Sequence, residues 1–266
     1  MNTTSTILSI AGTDPSGGAG IQVDLQVFRD LGHHGASVIT AVVWQNTQTV
    51  HGWHAPGAEV LDQQLSVLLD DVSPAAVKIG MLTSPEDVRV VAKHIKQLDV
   101  PIVHDPVMAS GDGSTALLVD RTLDAMRAEL FEHVTVLTPN IPEAEVLCGE
   151  AISESRLTDA ATMLRERTGA QHVLLKVGHL STLGESLRDV WADEDDATWL
   201  EPLPVLPIDN VRGTGCQLSS AIAAGLASGQ PPKDATERAR RYLWDLLRRR
   251  RRRVGEGRAV ITRAGA

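Results

Sequence analysis

The chain has 266 residues, of which 42% are hydrophobic, and a formal net charge of −9, so it can bury the core of one large domain but is a poor candidate for general nucleic-acid binding. Its two cysteines, Cys148 and Cys216, are too few for a disulfide framework and lack the CxxC spacing of a zinc site. No apolar run approaches the roughly 18 residues that a membrane-spanning helix needs, so we expect a cytoplasmic protein without a membrane span.

Short, β-branched apolar runs alternate with longer amphipathic segments along the chain. This alternation predicts an α/β fold with a doubly wound, mostly parallel central sheet and helices on both faces. No internal repeat or Gly/Ser linker interrupts it, so we expect a single domain over residues 1–266. The predicted strands are 5–11, 36–44, 75–81, 101–107, 134–139 and 172–178. The predicted helices are 18–32, 57–71, 84–97, 118–130, 141–148, 157–168, 214–228 and 231–253.

Two segments depart from the alternation. Residues 186–205 have the pattern of two strands joined by an acidic turn, which predicts a small antiparallel hairpin at the sheet edge. The last predicted helix ends in six arginines, 248–253. Cations at the exposed end of a helix complement its dipole, and we favour this interpretation over a nucleic-acid patch because the rest of the chain is acidic.

A glycine-rich stretch, GTDPSGGAG (12–20), follows the first strand. Its spacing fits neither GxGxxG nor a P-loop, but its place at the carboxyl end of a strand favours close approach of the backbone to a small ligand. Asp24, in the helix that follows, either complements the helix dipole or accepts hydrogen bonds from a ligand. Gln45, at the end of the second strand, either belongs to a turn or binds a heterocycle through an amide that both donates and accepts.

Three further side chains follow later strands. Asp105 ends one strand, and Asn140 and Glu143 follow the next. The Asn-x-x-Glu spacing suits a helix capping box, and it equally suits a site in which Asp105 and Glu143 hold Mg²⁺ against a triphosphate. Lys176 lies late in an apolar strand, where a lysine either extends its ammonium to solvent or contacts an anion.

The segment Gly213-Thr214-Gly215-Cys216 begins the predicted helix 214–228. Consecutive backbone N–H groups at a helix N-terminus form an anion hole suited to a transferring phosphoryl group. Cys216 lies in the first turn, where the dipole can lower the pKa of a thiol, and a thiolate there could take a proton from an alcohol.

Together these residues resemble the ribokinase-like superfamily, and more closely the hydroxymethylpyrimidine/phosphomethylpyrimidine kinases of thiamine biosynthesis. The resemblance implies ATP-dependent phosphorylation of 4-amino-5-hydroxymethyl-2-methylpyrimidine and of its monophosphate, with Mg²⁺ accompanying ATP and a monovalent cation left open. It also implies a homodimer, for which the hairpin 186–205 is one candidate surface. The stretches that carry it are IAGTDPSGGAGIQVDLQVFRDLGHHGASVITAVVWQNT (10–47), KIGML (78–82), DPVM (105–108), LTPNIPEAEVL (137–147), LLKVGHL (174–180) and GTGCQLSSAIAA (213–224).

The resemblance also implies a role for each matching residue. The pyrimidine would contact Gly12, Asp24, Gln45, Met81 and Val107. ATP would contact Asp105, Asn140, Lys176, Gly178 and Thr214, and the metal would contact Asp105 and Glu143. Catalysis would rest on Cys216 as the base and on Gly213, Thr214 and Gly215 as the anion hole.

Three departures from the family pattern stand out: Arg212 in place of a histidine, Val177 in place of a glycine, and the composition of a candidate lid at 109–118. Arg212 could bind phosphate with both nitrogens or be solvated. Two alternatives remain open, a pyridoxal or pyridoxine kinase, and a non-catalytic binding or regulatory protein on the same fold.

Overall fold

The computed structural model describes residues 5–108, 120–178, 186–208 and 211–263. Its helices are α1 (Gly20–Asp30), α2 (Ala58–Asp71), α3 (Pro85–Ile95), α4 (Asp120–Glu129), α5 (Ile141–Cys148), α6 (Leu157–Thr168), α7 (Thr214–Ala227) and α8 (Pro232–Arg249). Its strands are β1 (Thr6–Gly12), β2 (His34–Gln45), β3 (Val50–His54), β4 (Ala76–Ile79), β5 (Ile102–His104), β6 (Val136–Leu137), β7 (His172–Leu175), β8 (Ser186–Leu187), β9 (Val190–Ala192), β10 (Ala197–Trp199), β11 (Leu203–Pro204), β12 (Arg251–Arg252) and β13 (Val260–Ile261).

Within the described residues, nine strands form the central sheet in the order β10-β9-β7-β6-β5-β4-β1-β2-β3. Strands β1, β2, β4, β5, β6 and β7 run parallel, while β3 at one edge and β9 next to the other are antiparallel to their neighbours. The chain passes from β1 to β2 on one side and later to β4 on the other, so the winding reverses at β1. Open α/β sheets bind ligands beyond the carboxyl ends of the strands at such a switch point.

Helices cover both faces of this sheet. Leu8 and Ile10 of β1 face a core shared with α2–α6, whereas Ile7 faces a core shared with α1, α7 and α8. Side chains alternate between the two faces of a strand, and here both faces are buried, which explains the continuous apolar run in β1. The predicted doubly wound α/β fold is confirmed.

The hairpin at the sheet edge is confirmed as well. Strands β9 and β10 pair antiparallel, and β10 is the edge strand. A second short ladder joins β8 to β11, so the segment 186–205 carries two antiparallel pairs instead of one.

The sequence did not predict β3 or the C-terminal strands. Asn46 accepts hydrogen bonds from the backbone N–H groups of Gln48 and Thr49, which makes the turn that leads into β3. Helix α8 ends at Arg249, and not at residue 253 as predicted, because Arg251–Arg252 pairs with Val260–Ile261. The candidate lid at 109–118 lies outside the described residues. Among the described helices, none is long and apolar enough to cross a bilayer.

Candidate active site

The carboxyl ends of β5 and β7 bring Asp105 and Lys176 together. Lys176 Nζ donates a hydrogen bond of 2.7 Å to Asp105 Oδ1 and lies 4.0 Å from Glu143 Oε2. A Cβ atom on Gly215 would lie 3.0 Å from Asp105 Oδ2 and 3.4 Å from Lys176 Nζ, so the first turn of α7 is in contact with this pair. Four residues that were predicted from separate motifs therefore share one site: Asp105, Glu143, Lys176 and Gly215.

Gly213 allows α7 to begin at this point. Its φ is +74°, in the left-handed region, and a Cβ there would lie 2.0 Å from the carbonyl oxygen of Gly18. Only glycine fits both the conformation and the space. The first N–H groups of an α-helix have no acceptor within the helix, and the helix dipole adds partial positive charge, so this turn beside Lys176 suits an anion.

The charges of this cluster perturb one another. Burial would raise the pKa of Asp105, but the ammonium groups of Lys176 and Lys78 outweigh burial and hold that pKa below its usual range. Burial raises the pKa of Glu143 to about 7, and the Asp105 carboxylate adds to this against the attraction of Lys176. Burial would lower the pKa of Lys176, but the Asp105 and Glu143 carboxylates raise it.

Glu143 and Asn140 form the capping box that their spacing allowed. The Asn140 N–H donates to Glu143 Oε2 at 2.8 Å, and the Glu143 N–H donates to Asn140 Oδ1 at 2.9 Å. The capping interpretation is confirmed, and the metal and nucleotide contacts of the two residues stay predictions.

The oxygen donors present fit Mg²⁺. Asp105 and Glu143 supply two carboxylates around one lysine. Burial raises the pKa of Glu143, so a further cation nearby would stabilise its ionised form. No cluster of three or more His, Cys, Asp or Glu residues suited to a metal occurs in the part of the chain that the structure describes. Two carboxylates nevertheless suffice, since Mg²⁺ usually keeps several waters and takes its other ligands from phosphate.

A small apolar cluster lies at the carboxyl ends of β1, β2 and β4. A Cβ on Gly12 would lie 3.4 Å from both Met81 Sδ and Val43 Cγ2, so a larger residue would fill this space. Val107 packs against the same cluster. Gln45 lies at its margin, with its Nε2 donating to the Thr13 carbonyl at 3.1 Å. The structure therefore brings Gly12, Gln45, Met81 and Val107 together, as a site for a flat ring requires.

The Asp24 side chain is not part of this apolar cluster. Its carboxylate has no exposed surface and accepts hydrogen bonds from Ser9 Oγ at 2.6 Å, Ser220 Oγ at 2.7 Å and Lys78 Nζ at 2.9 Å. The predicted direct contact of this carboxylate with a ligand is at odds with such burial. The dipole alternative is wrong too, because α1 begins at Gly20 and Asp24 lies beyond its first turn.

Lys78 is a charged residue that sequence reasoning missed. It is 1% exposed, and Asp24 raises its pKa above the usual range although burial acts in the opposite direction. It also contributes to lowering the pKa of Asp105, so its charge is felt in the site. The sequence did contain a signal for Lys78. Like Lys176, it is a lysine within an apolar strand, the predicted strand 75–81, where its ammonium needs either solvent or a charged partner.

Cys216 does not have the lowered pKa that the sequence predicted. Burial raises the pKa of its thiol to about 11, the carboxylates of Asp24 and Asp105 act in the same direction, and Lys78 opposes them only in part. Desolvation therefore outweighs the helix dipole.

Arg212 is neither solvated nor free. It is 5% exposed, its Nε donates to Asp14 Oδ2 at 3.1 Å, and its Nη2 donates to Gln45 Oε1. Asp14 was not singled out by the sequence. The guanidinium thus fixes the Gln45 amide with its oxygen toward Arg212 and its nitrogen toward Thr13.

Val177 and Gly178 follow Lys176 at the end of β7. Val177 is buried and its N–H donates to Asp189 Oδ1 at 2.9 Å, so a valine fits where the family pattern has glycine. None of the described non-glycine residues has a positive φ. Gly178 is exposed next to Lys176, and its contact with ATP stays a prediction.

The sequence and the fold of this chain are similar to those of known kinases. The profile of the family described as "Phosphomethylpyrimidine kinase" matches residues 14–262. A hydroxymethylpyrimidine/phosphomethylpyrimidine kinase of Rhizobium meliloti (strain 1021) is 40% identical over 264 residues, covering 97% of this chain and 96% of the relative.

Two solved structures share the fold. The pyridoxal kinase of Staphylococcus aureus in complex with AMP-PCP and pyridoxal has a TM-score of 0.87 and 28% identity, covering 98% of this chain and 94% of that one. The phosphomethylpyrimidine kinase of Clostridium difficile 630 has a TM-score of 0.78 and 32% identity, covering 91% of this chain and 99% of that one.

Proposed function

Because this chain belongs to the phosphomethylpyrimidine kinase family, we propose that it transfers the γ-phosphoryl group of ATP to 4-amino-5-hydroxymethyl-2-methylpyrimidine and then to the resulting monophosphate. Thiamine biosynthesis would use the diphosphate. The observation that carries this proposal is the contact of the α7 N-terminus with Asp105 and Lys176 at the carboxyl ends of the parallel strands.

Phosphoryl transfer needs positioning and charge neutralisation more than covalent chemistry from the protein. The N–H groups of Gly215 and its neighbours would bind the transferring phosphoryl group, and Lys176 would offset its charge. Asp105 and Glu143 would hold Mg²⁺, which when bound neutralises charge on the phosphates of ATP. Thr214 would contribute a backbone donor from the same turn.

The acceptor would lie against the apolar cluster beside Gly12, Met81 and Val107. A pyrimidine carries ring nitrogens that accept hydrogen bonds, and the Gln45 Nε2 has a second N–H beyond the one that it donates to Thr13. Since Arg212 holds the amide oxygen, the amide would present a donor to the ring.

Cys216 would assist the first phosphorylation more than the second. The first acceptor is an alcohol that must lose a proton, whereas the second is already an anionic phosphate. Because the pKa of the thiol is raised to about 11, Cys216 could accept the alcohol proton only after losing its own to solvent, so its thiolate fraction would act as the base.

Pyridoxal phosphorylation is the second candidate function. A pyridoxal kinase of known structure has a TM-score of 0.87, and pyridoxal also offers a flat ring with a hydroxymethyl arm. Initial-rate assays of ATP consumption with each purified alcohol separate the two. A higher kcat/KM for the pyrimidine supports the proposal, a higher value for pyridoxal supports the second candidate, and no turnover with either leaves a non-catalytic binding protein.

Homodimerisation and a cytoplasmic location stay predictions. Light scattering of the purified full chain at micromolar concentration measures the first. Neither is needed for the chemistry proposed above, because all the side chains that carry it belong to one chain.

A further inference from the structure

The arginine run that closes α8 borders a cavity whose lining does not include Asp105, Lys176 or the first turn of α7. This cavity has a volume of about 860 Å³, and arginines of the run, among them Arg251, Arg252 and Arg253, line it together with Arg258. Its opposite side is formed by Thr47 and Val211. Those two residues lie close in sequence to Gln45 and to Gly213, respectively.

Specific backbone contacts hold this segment in place. The Gly257 N–H donates to Thr47 Oγ1 at 3.1 Å, the Arg258 N–H donates to the Thr47 carbonyl at 2.9 Å, and the Arg212 N–H donates to the Ala259 carbonyl at 2.9 Å. Val260 and Ile261 of β13 are buried and anchor the antiparallel pair that carries Arg251 and Arg252. The arginines are therefore part of the folded domain and not a solvated tail.

Five arginines of the run, together with Arg258, place positive charge around this one cavity. Arg248 and Arg249 share Asp245, at 3.7 and 3.5 Å. Among the described residues, no carboxylate lies within 4.0 Å of the guanidinium groups of Arg251, Arg252 or Arg253, and the cavity lining contains one acidic residue, Glu256. Since like charges held at close range repel one another, a bound anion would stabilise this arrangement.

The geometry points to a binding site for a small anion that carries two or more phosphate groups. Guanidinium groups bind phosphate oxygens in pairs, and several arginines around one cavity suit a compact polyphosphate. An extended nucleic acid is disfavoured, because the remainder of this chain is acidic and the whole carries −9. The site is distinct from the anion hole of α7 and does not depend on the acceptor of the proposed reaction.

The test uses inorganic pyrophosphate as the probe, titrated into the full chain by isothermal calorimetry without metal. Arg251→Gln/Arg252→Gln removes two cavity cations and keeps side chains that can occupy β12. The matched control is Arg156→Gln/Arg241→Gln, which removes the same charge from exposed positions of the surface that do not line the cavity. Lys176→Gln removes the cation that lies beside Asp105 at the first turn of α7.

With Lys176→Gln present throughout, so that the α7 site contributes less, we expect the cavity variant to bind pyrophosphate about tenfold more weakly or worse, while the control pair stays within about twofold. Thermal unfolding establishes that the cavity variant is folded. No measurable binding by the wild type, equal binding by the cavity variant, or loss of all binding in Lys176→Gln would each overturn the proposal.

Two comparisons identify the ligand further. If hydroxymethylpyrimidine diphosphate binds the Lys176→Gln variant more tightly than pyrophosphate, and Arg251→Gln/Arg252→Gln removes this difference, the occupant is an organic diphosphate; equal affinities mean that the cavity binds the free anion. A 20-nucleotide RNA that binds tightly and loses its affinity in the cavity variant, with pyrophosphate unable to displace it, would replace the small anion by a nucleic acid and overturn the proposal.

Discussion

Lys176 donates a hydrogen bond of 2.7 Å to Asp105 across 71 positions of the chain, because β5 and β7 end at the same edge of the sheet. The pair lies against the first turn of α7, so one cation, one carboxylate and the N-terminus of a helix meet at a single point. The proposed phosphoryl transfer depends on this meeting point.

Replacing Lys176 by Gln should lower kcat/KM for the pyrimidine alcohol about 10²- to 10³-fold, since a positioned cation beside the transferring group is lost. Lys93→Gln is the matched control, because Lys93 is an exposed lysine that is also paired with an aspartate. Steady-state kinetics of both variants check the prediction. Similar losses in the two variants would mean that Lys176 has no special role.

Gly213→Ala should destabilise the protein and abolish most activity, since the new Cβ would lie 2.0 Å from the Gly18 carbonyl oxygen at a φ of +74°. Gly229→Ala measures the loss of unfolding free energy that comes from the left-handed backbone alone. Gly229 has a φ of +77°, and a Cβ added there would have nothing within 4 Å. We expect about 1–2 kcal/mol for Gly229→Ala and a larger loss for Gly213→Ala, measured by urea unfolding. Equal losses would show that the contact with Gly18 does not matter.

Cys216→Ala should slow the first phosphorylation more than the second. Because the thiol pKa is raised to about 11, ionised Cys216 becomes more abundant at every step from pH 7 to 10, and the wild-type rate of the first step should rise over this range. The variant should lose that rise and keep its second step nearly unchanged. Single-turnover time courses of each step, from pH 7 to 10, measure this, and equal losses in both steps would contradict the role of Cys216 as a base.

Lys78→Met should cost about 3–5 kcal/mol of unfolding free energy, because it leaves the Asp24 carboxylate charged and unpaired in the interior. The double variant Lys78→Met/Asp24→Asn should lose less than the sum of its two single variants. Urea unfolding of the two single variants and the double variant gives the coupling free energy between Lys78 and Asp24. Lys93→Met, at an exposed pair, is the control and should change stability little. Strict additivity of the two buried changes would disprove the ion pair.

Parts of this structure follow directly from the sequence. Helices α5 and α6 have the predicted bounds, 141–148 and 157–168, because glycines follow both and their apolar positions repeat with helical spacing. The convergence of Asp105 and Lys176 was predictable because parallel strands end at a common edge.

Other parts could not be obtained from one sequence. The pairs Lys78–Asp24 and Arg212–Asp14 join residues 54 and 198 positions apart, and no local pattern encodes such contacts. The raised pKa of Cys216 depends on burial by distant elements, which outweighs the local helix dipole. The C-terminal strands were missed because β12 consists of arginines, and its pairing with Val260 and Ile261 fixes it.

The most direct test of the account is a time course of 4-amino-5-hydroxymethyl-2-methylpyrimidine with excess ATP, Mg²⁺ and the purified full chain, followed by mass spectrometry. The account predicts that the monophosphate appears first and the diphosphate follows, that two ATP are consumed for each pyrimidine, and that Lys176→Gln slows both steps. A chain that phosphorylates pyridoxal but not the pyrimidine, or one whose Lys176→Gln variant is as fast as the wild type, would contradict it.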